Sequence, residues 1–189
     1  DGPLGMKYVP AGLSMEKLRR VDYQRLKDAV EELRNTADYV IVDCPSGLAV
    51  DAETALKSAK EAIVVTMPEP SALADGLKVK NFAEKSNVNV LGVVCNMCSG
   101  DKTEVSVKDI STVLETPVLA EIPLDLNVRR ASSLQEPVFI KYPNTAFSVA
   151  MRLLAAKLTG EAPVEDSVKK HWLQELLEAL MERIRGFSK

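Results

Sequence analysis

The sequence predicts an α/β protein built on a doubly wound, mostly parallel sheet. Short apolar runs rich in β-branched residues recur: YVIVD at 39–43, AIVVT at 62–66, VLGVVC at 90–95 and VLAEI at 118–122. Each run is followed by a stretch with the 3.6-residue period of a helix. Strands of this composition are buried on both faces, and their alternation with helices implies parallel pairing with right-handed crossovers. A sheet of that kind binds ligands at the carboxyl ends of its strands.

The elements follow in chain order. Met6-Lys7-Tyr8-Val9 reads as a short strand with no element before it. The first helix shows an apolar face of Leu26, Ala29, Val30 and Leu33, with Asp22 as its N-cap and Val21 and Leu26 as a hydrophobic staple. Further helices are expected to start at Asp51, Ser71, Ser106 and Asn144, each a capping residue type before a helical run. The last core helix covers roughly 145 to 158 and ends the domain, 1–158. TGEAPVED, beginning at Thr159, carries a Gly, a Pro and three acids and reads as a flexible linker over 159–166.

Composition excludes several functions. With 189 residues and 46% hydrophobic content the chain has material for one substantial core. Its 24 basic and 27 acidic side chains leave a net charge of -3, so no bulk positive field draws in nucleic acid. Three cysteines and no apolar leader point to a reducing, cytoplasmic setting. No apolar run approaches the roughly 20 residues that span a bilayer, so any membrane contact is peripheral.

Chemistry collects at the strand ends. YVIVD closes on Asp43, which places a carboxylate at the sheet's carboxyl edge, followed by the tight turn Cys44-Pro45-Ser46-Gly47. Glycine lets a backbone N–H approach a phosphate closely, although a strand-end Asp before Pro-x-Gly serves equally as a helix-entry turn. Asn96, just past its strand, either offers a planar amide to a purine edge or closes an Asx turn. Pro123 stops the next strand, and Asp125 then caps a helix or meets a ligand. All three signals stand in order at one edge of the inferred sheet.

Read together, these stretches resemble the MinD/ParA family of P-loop ATPases, and the MinD branch in particular. DYVIVDCPSGLAVDAETALKSAKEAIVVTMPEPSALADGLK resembles the family's segment from the Walker B aspartate through switch II. LGVVCNMC resembles its strand ending in the base-binding Asn, IPLDLNVRRASSLQEPV its Pro-x-Asp nucleotide loop, and PAGLSMEKLRR its segment before Walker B. The resemblance covers about 8–158. It implies a P-loop NTPase-like fold of the deviant Walker A kind. Asp43 would then order magnesium through water, Gly47 would lie near the γ-phosphate, and Asn96, Pro123 and Asp125 would hold adenine. Met67 and Ser46 depart from the family's usual Asn and Ala.

A larger departure is the lack of a Gly-rich turn with Lys and Ser/Thr between a strand and a helix. Ser99-Gly100-Asp101-Lys102-Thr103 has one glycine and an aspartate where phosphate would sit, and reads as a loop. The fold is therefore expected to be incomplete at its N-terminus. ATP and magnesium belong to the intact protein, and this chain alone is expected to bind neither tightly.

The lone C-x-x-C at Cys95 and Cys98 supports neither a zinc site nor a thioredoxin-like pair on spacing alone. His171, the single histidine, reads as solvated and leaves no His-based triad. Glu69 and Asp75 suit either a docking surface, as in MinD relatives, or the dipole of the helix they open.

The tail, 167–189, reads as an amphipathic helix. Val164, Val168, Trp172, Leu173, Leu176, Leu177, Leu180, Met181, Ile184 and Phe187 recur at three and four, giving one wide apolar stripe. Its polar face mixes acids with bases, so the stripe docks either on protein or on a membrane. MinD proteins keep a membrane-targeting helix at this place. The resemblance implies an ATP-bound homodimer on the inner face of the cell membrane, with a division-inhibitor or activator protein as partner and no specific nucleic acid. Septum-site placement is the implied task. ParA-like partitioning and a degenerate, nucleotide-independent scaffold are the alternatives.

Overall fold

A computed structural model of the chain describes residues 2, 5–10 and 25–161. These fall into two compact units, one comprising the chain up to Lys60 together with 86–88, the other 61–85 and the chain from Asn89 onward.

In the first unit α1 (Leu26–Leu33) packs on α2 (Val50–Ser58). Val30 on α1 and Ala52, Ala55 and Leu56 on α2 are buried. Asp22 and Val21, the expected cap and staple, lie outside the described residues, and Arg25 stands at the N-cap without a side-chain cap bond. α2 is capped by Ala49, not by Asp51. Asp51 sits inside the first turn, where its Oδ1 accepts from the Ala52 N–H (2.9 Å) and its charge favours the helix dipole.

Two expected strands are absent from this unit. Residues 39–43 form no strand, and Tyr39 and Ile41 are 62% and 91% exposed. A β-strand exists only through a neighbour that takes up its N–H and C=O groups, and among the described residues none pairs with this segment. Met6–Val9 likewise joins no strand among the described residues, and Met6, Tyr8 and Val9 are exposed.

The second unit holds the sheet. β1 (Glu61–Thr66), β2 (Asn89–Cys98) and β3 (Val118–Pro123) lie in that order, all parallel. The crossovers are α3 (Pro70–Lys85) and α4 (Val107–Leu114), and α5 (Leu126–Ser133), α6 (Val138–Lys141) and α7 (Ala146–Thr159) follow β3. Side chains alternate between faces. Val64, Val93 and Cys95 join Leu73 of α3 and Ile110 and Leu114 of α4 in one buried cluster. Ile63, Val94 and Ile122 join Phe147 and Leu154 of α7 in another. Helices thus cover both faces, as a parallel sheet of apolar strands requires. Each fully buried Ile or Leu contributes roughly 1.5–3 kcal/mol.

Local chemistry sets the helix ends. α3 begins on Pro70, whose missing N–H costs nothing at a first helical position. α4 is capped by Ser106, which accepts from the Asp109 N–H and donates to its carboxylate, as expected. α7 is capped by Thr145, one residue beyond the expected Asn144, and closes at Gly160 with φ +73.

Candidate nucleotide site

The carboxyl ends of β2 and β3 are tied together. Cys98 is the register partner of Pro123, and the Leu124 N–H donates to the Cys98 carbonyl at 2.9 Å. Asn96 lies inside β2, two residues before its end and not just past it as expected, because the strand continues to Cys98; the end of β2 that carries it is thus tied to the Pro123–Asp125 turn. Pro123 can donate nothing, so the strand stops and the chain swings into α5.

Both polar side chains adopt their local readings here. Asn96 is half-buried, and its Oδ1 accepts from the Met97 N–H at 2.9 Å, which leaves the amide NH2 as a donor. Asp125 is the N-cap of α5, its Oδ1 accepting from the Asn127 N–H at 2.8 Å. Leu124 and Leu126, both exposed, put apolar surface beside these polar groups. A planar heterocycle needs that combination of a flat apolar contact and a few placed donors and acceptors.

Below this turn is a groove of about 410 Å³ lined by Cys95, Cys98, Glu104, Glu121 and Pro123 among others. One wall is the loop from Ser99 to Glu104. The Glu104 carboxylate accepts from the Ser99 N–H and hydroxyl at 2.8 and 2.6 Å and from the Gly100 N–H at 3.1 Å. Those bonds hold it below the usual carboxylate range, the Ser99 hydroxyl first. Burial, then the Cys98 hydrogen bond and the charges of Cys98, Glu121 and Glu104, push the Cys95 thiol up to about 12.

Asp43 and Gly47 lie in the first unit. Gly47 has φ +86 with open space around the Cα, a conformation that disfavours any side chain. Asp43 is exposed, and its charge, after desolvation by surrounding protein, raises the neighbouring Cys44 thiol. The tail residues Trp172, Leu173, Leu176, Leu177, Leu180, Met181, Ile184 and Phe187 lie outside the described residues.

Sequence reasoning missed the meeting of Cys95 with Cys98. The C-x-x-C spacing was its one sign and was set aside, and nothing local announces the turn, because Met97 reaches φ +59 without being a glycine. It also missed Glu104 as the anchor of its loop, for which the Ser99 to Glu104 spacing was the one available sign.

Comparison with known proteins bears on the family and the fold. Residues 24–159 match the ParA family model described as NUBPL iron-transfer P-loop NTPase. An uncharacterized ATP-binding protein of Methanocaldococcus jannaschii is 36% identical over 170 residues, covering 90% of this chain and 64% of that protein. The septum site-determining protein MinD of Bacillus subtilis is 32% identical over 186 residues, covering 95% and 66%. Among solved structures, the cell division ATPase MinD of Pyrococcus furiosus superposes with a TM-score of 0.76 at 30% identity, covering 80% of this chain and 64% of that one. MinD of Pyrococcus horikoshii, complexed with Mg-ADP, gives 0.74 at 28%, covering 78% and 60%. The MinC:MinD complex of Aquifex aeolicus gives 0.67 at 26%, covering 75% and 60%. The chain thus spans a little under two thirds of the length of these proteins. With the family model matched over more than half of its residues, around a parallel sheet of the same kind, the chain belongs to the ParA family of P-loop NTPases.

Proposed function

We propose that this chain carries the switch II, base-binding and tail portions of a MinD-type ATPase, a spatial regulator of cell division that acts in septum-site placement. The observation that carries the reading is the tie, through Cys98, between the end of β2 that bears Asn96 and the Pro123–Asp125 turn that closes the parallel β3. There the Asn96 NH2 would donate to a ring nitrogen of adenine and the turn would flank the base. Gly47 would bring its N–H to the γ-phosphate, and Asp43 would hold a magnesium-bound water. Bound magnesium would neutralise charge developing on the transferred phosphoryl group.

The Mg-ADP in the P. horikoshii MinD structure supports the cofactor reading, and the MinC:MinD complex supports a division-inhibitor partner. In the same reading residues 1–158 form the nucleotide domain, 159–166 a linker, and 167–189 an amphipathic helix. ATP-driven dimerisation would present two such helices to the inner face of the cell membrane, and avidity would turn a weak helix into a nucleotide-controlled anchor. Calorimetry on the 189-residue chain is expected to show no tight ATP binding, since the cradle and lysine that offset triphosphate charge are missing.

The test fuses the chain to the P-loop-bearing segment of the P. furiosus MinD. Asp43→Ala should abolish ATP hydrolysis while circular dichroism stays unchanged. Asn96→Ala should raise the ATP concentration required and weaken preference over GTP. Hydrolysis with unchanged metal dependence in the Asp43 variant would sink the reading.

A further inference from the structure

The thiols of Cys95 and Cys98 play no part in the function proposed above. In a regular strand, residues three apart point to opposite faces. Here the pairing with β3 slips between Cys95 and Cys98, and Met97 takes φ +59. That irregularity turns Cys98 back onto the side of Cys95. The Cys98 thiol donates to the Cys95 sulfur, with the two Sγ atoms 3.3 Å apart. The Asn96 Oδ1 holds the same turn through the Met97 N–H. A non-glycine residue at positive φ costs roughly 1 kcal/mol or more, so the surrounding structure must fix this turn.

Access differs between the sulfurs. Cys95 is fully buried, whereas Cys98 is half-buried on the wall of the 410 Å³ groove. A disulfide bond measures about 2.05 Å, so the sulfurs need to approach by little more than about 1 Å. Cys98 is also the residue whose carbonyl accepts from the Leu124 N–H. Any movement of Cys98 reaches the Pro123–Asp125 turn through that single bond.

We propose that Cys95 and Cys98 form a reversible dithiol–disulfide couple, oxidised through the groove by a small-molecule disulfide, and that its closure loosens the Leu124 hydrogen bond. The Cys98 thiolate attacks one sulfur of the small disulfide, giving a mixed disulfide and one thiol. Cys95 then gives up its proton and attacks the Cys98 sulfur, displacing the second thiol. Both cysteine sulfurs are oxidised, the small disulfide is reduced by two electrons, and the two cysteine protons end on the two released thiols. Disulfide formation stands independently of the nucleotide reading. Only its consequence for base binding would rest on that reading, and the test below uses no nucleotide.

The experiment takes the 189-residue chain with the exposed third thiol removed by Cys44→Ser. It is incubated with excess glutathione disulfide, alkylated under denaturing conditions and weighed by mass spectrometry. Both remaining thiols should be lost together, with a mass loss of two hydrogens and no retained glutathione, and dithiothreitol should restore both. Adding Cys95→Ser should instead trap one glutathione on Cys98. Hydrogen exchange at the Leu124 amide should accelerate about tenfold on oxidation, the fold-change expected from losing about 1.4 kcal/mol of protection, and return on reduction. A stable glutathione adduct on Cys98 while Cys95 is present, or thiols that stay fully alkylatable, would overturn the couple. Leu124 exchange that ignores the redox state would overturn the link to the turn.

Discussion

A Cβ at position 92 would stand 2.5 Å from Leu119 Cγ and 2.7 Å from the Pro117 carbonyl oxygen. Gly92 thus leaves room for Leu119 and the Pro117 carbonyl beside β2, just before the Val93 N–H donates to that same carbonyl at 2.9 Å. Backbone cannot yield as a flexible side-chain end can. Gly92→Ala is expected to cost about 1–3 kcal/mol by overpacking, measured by urea unfolding. Gly76→Ala on α3 is the contrast. Its Cβ would meet Val64, Thr66 and Leu114 at 3.5–3.8 Å, which is ordinary contact. That change should stabilise the protein by roughly 0.5–1 kcal/mol through helix propensity.

Asp125 has a structural duty that must be separated from any ligand duty. Removing its cap bond to Asn127 by Asp125→Ala should cost about 1 kcal/mol, while Asp125→Asn should retain most of the stability. Thermal unfolding of the two variants checks this. Equal losses in both would show that the cap bond is not what the carboxylate supplies.

The loop from Ser99 to Glu104 should depend on pH. Because the Glu104 carboxyl is held below its ordinary value, by the Ser99 hydroxyl first, its ordering effect is complete above the usual glutamate range. The effect is lost as pH falls through the depressed folded value. The Ser99 and Gly100 amide resonances should therefore titrate at a pH below that of an ordinary glutamate. Glu104→Gln should remove the transition, and a midpoint at the normal glutamate value would refute the assignment.

The tail prediction rests on its apolar stripe. Burying Trp172, Leu176, Leu177, Leu180 and Ile184 at roughly 1.5–3 kcal/mol each can exceed the cost of ordering the helix. A peptide of residues 164–189 should co-sediment weakly with anionic liposomes and gain helicity there. Leu177→Glu should leave it in the supernatant. Salt should loosen binding without erasing it, since the charges are mixed over most of the tail and become basic at Arg183, Arg185 and Lys189. A parent peptide that ignores lipid would assign the stripe to a protein contact.

By itself the sequence determined the elements that carry their own signal. The runs at 62–66, 90–95 and 118–122 are strands within a few residues of the expected bounds, because continuous β-branched runs suit only a sheet covered on both faces. Ser106 and Asp125 cap their helices because capping is local chemistry that three or four consecutive residues can settle. Pro123–Asp125 was legible for the same reason, since a strand that stops at Pro announces its end, whereas Asn96 was expected just past a strand that in fact runs on to Cys98. Tertiary structure alone decided the rest. YVIVD has the composition of a strand but no partner among the described residues, and pairing is a property of neighbours, not of a segment. The approach of Cys98 to Cys95 depends on a register slip against β3 and on positive φ at Met97, neither of which spacing encodes. Gly92 shows the same limit: its want of a side chain is plain in the sequence, but only Leu119 and Pro117, brought against it by the parallel pairing, give the reason.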